Sequence, residues 1–115
     1  MNDEELVKRY VDAARQHGKA MTRPIDSDRA NQMSDIIFEI LKVMRQRPDR
    51  ERTLLEPLLD NKDASVRCWA ATHFLSLDES RAVAVLEFIS RMKGVIGFTA
   101  EMVLQEWRIG RLALL

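Results

Sequence analysis

One cysteine and two histidines are the residues of this sequence best suited to chemistry. Cys68 stands beside Trp69 in an apolar helical stretch. A cysteine nucleophile needs a lowered pKa and a base held against it. His73 follows five positions later, which puts it off the helical face that Cys68 occupies. The spacing therefore predicts a small core or interface cysteine. Trp69 and His73 are four apart and do share a face. A hydrogen-bonded structural histidine is the expected role for His73, with a place in a binding groove as the second reading. His17 and Asp12 are five apart and no third or fourth ligand follows, so no metal is expected. Glu101 and Glu106 are also five apart, the wrong spacing for a carboxylate pair doing acid–base work. If buried, Glu106 would pair with Arg67 or Arg108. The sequence presents no catalytic constellation and no cofactor motif, and a non-enzyme is expected.

Three further clusters have plain structural explanations. Arg45, Arg47, Arg50 and Arg52 are interrupted by Asp49 and Glu51, with no aromatic residue between them to stack on bases. They predict a solvated helix junction ahead of a phosphate or nucleic-acid contact. Gly94 and Gly97 lack the Gly-Lys-Ser/Thr ending and the preceding strand of a phosphate loop. A turn at Gly94 and a close helix contact at Gly97 are expected instead. Trp69, Phe98 and Trp107 should be mostly core. Trp107 with its neighbour Arg108 is the pair that would make a binding hot spot if exposed.

The elements that must position these residues follow from composition and periodicity. The chain has 115 residues, of which 46% are apolar and 31% charged, enough for one domain with its own core spanning residues 1–115. Eighteen basic residues balance eighteen acidic ones, which argues against a nucleic-acid binder. No apolar run approaches the length of a membrane span. The acidic start, Met1-Asn2-Asp3-Glu4-Glu5, is unlike a signal peptide. A cytoplasmic protein is expected.

Glycine and proline are scarce and hairpin signals are absent, while apolar residues recur at helical spacing. The pattern predicts an all-α chain of about six helices. Two long ones come first, over residues 3–21 and 27–47. A shorter unit over 50–59 carries Pro57, which predicts a kink or a short first turn. Further helices are expected over 64–77, 81–92 and 95–109. Leu112, Leu114 and Leu115 form an apolar tail that folds back onto the body or docks elsewhere.

The second half matches itself at a spacing of 30. Leu55, Leu58 and Leu59 align with Val85, Phe88 and Ile89. Val66, Ala70, Phe74 and Leu77 align with Ile96, Ala100, Leu104 and Trp107. Each unit is a helical hairpin that needs a neighbour to cover its apolar face. Leu58-Leu59-Asp60, Asp63, and Val66-Arg67 followed by Ala70-Ala71 resemble a HEAT repeat. The resemblance implies an armadillo-like right-handed α-α superhelix, with the first two helices as its other layer or cap, and a protein-binding scaffold. Ser65 to His73 and Gly97 to Arg108 resemble the signature segments of a small bacterial family catalogued as a domain of unknown function, number two thousand and nineteen. That likeness implies a compact armadillo-like or HEAT-like helical fold and no established activity.

The leading functional expectation is a non-catalytic protein-interaction module, in a specific form an immunity or antitoxin-like protein by analogy alone. Its binding face would be formed by the second helices of the hairpins. The candidate residues are Arg67, Trp69, Thr72, His73, Glu101, Trp107, Arg108 and Arg111. A second class is a small ligand-binding protein or enzyme with a pocket between the long helices and the repeats. A third is a self-associating protein, motivated by the wide apolar face of the second helix and by the leucine tail.

Overall fold

A computed structural model describes residues 1–22 and 24–112, with Pro48 described by its backbone alone. Among these residues the chain forms six α-helices, one 3-10 segment and no strand. They are α1 (Asp3–Ala20), α2 (Ser27–Arg45), α3 (Pro48–Leu55), α4 (Ala64–Phe74), α5 (Glu79–Ser90) and α6 (Val95–Arg108). The 3-10 segment, Glu56–Asp60, continues directly from α3.

Short polar side chains start four of the helices. Asn2, Asp26, Asp63 and Asp78 each accept from a backbone N–H of the first turn and satisfy donors that the helix itself leaves free. Pro48 opens α3, where its missing N–H costs nothing. Pro57 cannot donate to an α-helical ladder, and the chain tightens there into the 3-10 segment. Gly94 adopts φ +88°, a left-handed conformation suited to glycine, and turns the chain into α6. At Gly97 a Cβ would run into the backbone carbonyl of Met92, so α5 and α6 approach closely only because that side chain is missing.

α4 is the central element. It packs against α1, α3, the 3-10 segment, α5 and α6, while α1 also lies on α2 and α5 on α6. Ala70 and Ala71 keep it thin enough to be surrounded, and Val66 and Phe74 fill the space on either side. Tyr10, Ile37, Leu41, Met44, Leu55, Leu59, Leu86 and Ile89 complete one continuous core.

The structure corrects several expectations. α2 ends at Arg45 rather than residue 47, and α4 at Phe74 rather than residue 77. The Phe74 carbonyl accepts from both Leu77 and Asp78, which turns the chain out of the helix. In the arginine-rich junction Arg47 and Arg52 are exposed, as a solvated junction requires, while Arg45 and Arg50 are partly buried and tied into the body. Arg45 meets Glu51 at 2.9 Å and Arg50 meets Asp3 at 2.6 Å. Arg52 donates to the Leu77 carbonyl at 3.3 Å, with its guanidinium 5.6 Å from the centre of the Phe74 ring. Phe98 is 65% exposed and is not core, because it points away from the α5 contact made by Gly97, Ala100 and Leu104. Phe88 is 62% exposed although its alignment partner Leu58 is buried, since no described element covers that side of α5. Leu112 packs against the core. Leu114 and Leu115 lie outside the described residues.

Candidate functional site

Three helices built from separate stretches of sequence enclose a groove of about 560 Å³. α4 is its floor, presenting Ala64, Ser65, Cys68, Trp69 and Thr72. Their spacing follows one helical face. The last turn of α1, with Met21 and Thr22 beyond it, makes one wall, and Val95, Ile96, Thr99 and Val103 of α6 make the other. Gly18 allows the first wall to form, since a Cβ there would collide with the side chain of Ser65. The lining is mainly apolar, and its ionisable groups are Arg15, His17, Lys19, Asp63, Lys93 and the Cys68 thiol.

Behind the floor lies an aromatic cluster that fixes Trp69. Its indole N–H donates to His17 Nδ1 at 3.4 Å, and the two rings meet edge to face at 5.1 Å. Phe38 of α2 meets Trp69 and His73, with ring centres 5.8 Å apart in both pairs. His73 stands 5.7 Å from Trp69 by ring centres, so the shared face expected from their spacing is present. A hydrogen bond of 2.9 Å joins His73 Nδ1 to the Tyr10 hydroxyl.

Burial sets the electrostatics of these groups. It pushes the His73 pKa down to about 3, with the positive charge of Arg45 acting in the same direction. His17 is lowered by burial as well. Burial lifts the Cys68 thiol to about 11, against a smaller opposing effect from the Thr72 hydrogen bond, and raises the Tyr10 hydroxyl well above its ordinary value. Both histidines are therefore neutral at pH 7 and Cys68 is a thiol, not a thiolate. Among the described residues, no group of three or more metal-ligating side chains comes together. Chemically, this arrangement can hold an apolar surface against Trp69 and offer it the exposed positive charges of Arg15, Lys19 and Lys93.

The model of a family described as a domain of unknown function (DUF2019) matches residues 4–107. The chain belongs to that family. No match is found among curated proteins or among solved structures. The family match spans all six helices, so the groove is made entirely from the matched region.

The structure separates the sequence-derived candidates into different roles. Trp69 and Thr72 line the groove, and His73 lies buried behind it. Arg67 is engaged elsewhere: its guanidinium donates to the Asn61 carbonyl at 2.8 Å and the Lys62 carbonyl at 3.1 Å, holding the turn before α4. Trp107 is half-buried and donates to Glu79 at 2.8 Å, which staples α6 to α5. Arg108 reaches Glu87 at 3.8 Å and, with Glu101, borders a small polar cleft between α5 and α6. Glu106 pairs with Arg111 at 3.5 Å, instead of Arg67 or Arg108. Sequence reasoning missed Lys19, Lys93 and Phe38. The Arg15–Lys19 spacing on one face of α1 is a signal that was available; Lys93 carries none, because only the fold brings it to the groove.

No helix among the described residues is long and apolar enough to cross a membrane.

Proposed function

We propose that this protein is a non-catalytic binding module that receives an apolar segment of a partner protein in the groove between α1, α4 and α6. One observation carries the reading. The groove has a mainly apolar lining ordered around a fixed tryptophan, and the cations that line it, Arg15, Lys19 and Lys93, are exposed. Recognition surfaces of this kind bind through a buried aromatic anchor and select through a polar rim. The neutral, buried state of His73 and the raised pKa of Cys68 favour binding over nucleophilic or acid–base chemistry. In the same reading, the α3-to-α4 and α5-to-α6 hairpins are two HEAT-like units whose second helices supply the floor and one wall. The setting is a bacterial cytoplasm, and an immunity or antitoxin-like role is the specific form.

The test is a pull-down from the native host with wild-type bait and with Trp69→Ala and Thr72→Arg variants, each checked for folding by circular dichroism. One stoichiometric partner that both folded variants lose supports the groove. A partner retained by both moves recognition to another surface. A second reading, a small apolar ligand, is favoured by the groove volume, which lies within the range of small-molecule sites. A thermal-shift screen separates the two, since a tight small ligand raises the Tm of the isolated protein.

A further inference from the structure

The groove is asymmetric in charge. Arg15, Lys19 and Lys93 line it against a single lining acid, Asp63. The cations stand on both walls: Arg15 and Lys19 one turn apart on α1, and Lys93 across the floor in the turn before α6. Lys19 and Lys93 make no ion pair among the described residues, and Arg15 makes only a 3.8 Å contact to Asp63 between partly exposed side chains. Asp63 is itself occupied in capping α4. Beside Lys93, α6 starts after Gly94 with no side-chain cap and no acid in its first turn, so the positive end of the helix dipole is unopposed there.

These features describe a shape as well as a charge. The floor follows α4 from Asp63 to Thr72, a length of about 13 Å, or roughly nine residues of an occupying helix. That distance holds three apolar anchors at i, i+4 and i+7. A helix lying with those anchors on Trp69 would present its flanks to both walls, where the cations stand.

Resting on the reading of the groove as a partner-binding surface, we infer that the occupant is an acidic amphipathic helix of the partner protein. Its apolar stripe lies on α4 and its carboxylates flank that stripe on both sides, facing Lys19 and Arg15 on one wall and Lys93 on the other.

The experiment uses two capped, fluorescein-labelled peptides of about 16 residues, long enough to form a helix when docked. Both carry leucines at i, i+4, i+7 and i+11, with glutamates flanking them in one and lysines in the other. Binding to the full-length protein is read by fluorescence anisotropy at low and at physiological salt. The acidic peptide is expected to bind about tenfold tighter than the basic one at low salt, the sum of a few partly exposed ion pairs, with the difference shrinking as salt rises. Lys19→Glu with Lys93→Glu should reverse the preference, and Thr99→Trp, which fills the groove from the α6 wall, should abolish binding of both peptides. Equal binding of the two peptides that Thr99→Trp abolishes overturns the acidic occupant while keeping the groove as a binding surface. Acidic-peptide binding that survives Thr99→Trp places it elsewhere and overturns the inference. So does failure of both peptides to bind, and in that case the pull-down with the Trp69 and Thr72 variants still decides the broader reading. Binding of dodecanoate, used as a small-molecule control, without binding of either peptide assigns the groove to a small amphiphile instead.

Discussion

The Tyr10 hydroxyl and His73 Nδ1 lie 2.9 Å apart, joining α1 to α4 across 63 positions of sequence. Both side chains are almost completely buried. A polar group left unpaired in such surroundings costs about 1–3 kcal/mol. Tyr10→Phe keeps the ring and removes the hydroxyl, leaving His73 Nδ1 without this partner. Urea denaturation should show a loss of about 1–3 kcal/mol with an unchanged m-value.

The same histidine sets the acid sensitivity of the fold. Its pKa falls from the ordinary 6.5 to about 3 in the folded chain, so between those values the unfolded state binds more protons. Its stabilising contribution is therefore present above about pH 6.5 and is lost as the pH falls through 6.5 towards 3. His17 is shifted in the same direction and adds to the slope. Between pH 7 and pH 5 the His73 contribution should fall by about 2 kcal/mol. His73→Gln should flatten most of that dependence when urea midpoints are compared at the two pH values. A dependence unchanged in His73→Gln would assign it to other groups.

The helices were legible because each carries its own instructions: an apolar stripe, a capping aspartate, a proline or glycine at its end. Asp63 and Asp78 work within a few residues of their own positions, and local sequence is enough to read them. Arg67 shows where such reading stops. Its place on the second helix of a hairpin makes it a candidate for the binding face, yet its long side chain folds back onto two carbonyls of the preceding turn. Phe98 fails for a related reason. Its size argued for burial, but Gly97 and Ala100 already fill the tight α5 contact and leave it outside. Thr72 is a candidate in the sequence as a polar residue on the second helix of a hairpin and Trp69 reads there as mostly core, while the fold places both in the groove lining. Lys19 and Lys93 belong to opposite walls that meet only in the folded chain, and no spacing in the sequence links them.

Gly97 and Gly18 make a second pair of close approaches with different expected costs. At Gly97 a methyl group meets the Met92 carbonyl, part of the rigid turn into α6. At Gly18 it meets the Ser65 side chain, where the hydroxyl can rotate away but the Cβ, 2.8 Å from the added carbon, yields only by a small shift of α1 against α4. Gly97→Ala should therefore cost about 2–4 kcal/mol, a Tm loss on the order of 10 °C. Gly18→Ala should cost less, because the gain in helix propensity of about 1 kcal/mol offsets part of the clash. Differential scanning calorimetry of the two variants checks the order.

Cys68 lines the groove yet is buried, and its thiol is raised to about 11. Alkylation by iodoacetamide at pH 8 should be at least about tenfold slower in the folded protein than in urea, since both the thiolate fraction and access are reduced. A native rate equal to the denatured one would mean an exposed thiol of ordinary pKa, and only a native rate faster than the denatured one would show an activated thiol and reopen nucleophilic chemistry at this site.

Asp63 ties the stability of the fold to the charge of the groove. Its Oδ1 accepts from the backbone N–H groups of Ser65 at 2.8 Å and Val66 at 3.2 Å, while its second oxygen faces Arg15 at 3.8 Å. Asp63→Asn keeps an oxygen for the cap and removes the one acid that opposes the groove's cations. Stability should change by less than about 1 kcal/mol, because asparagine caps nearly as well and the Arg15 pair is partly exposed. With Arg15 released, the acidic peptide should bind about two- to threefold tighter. Asp63→Ala should gain similarly in affinity but lose about 1 kcal/mol of stability with the cap. Anisotropy and urea denaturation on the two variants separate the contributions: affinity should follow the charge at position 63, and stability should follow the cap.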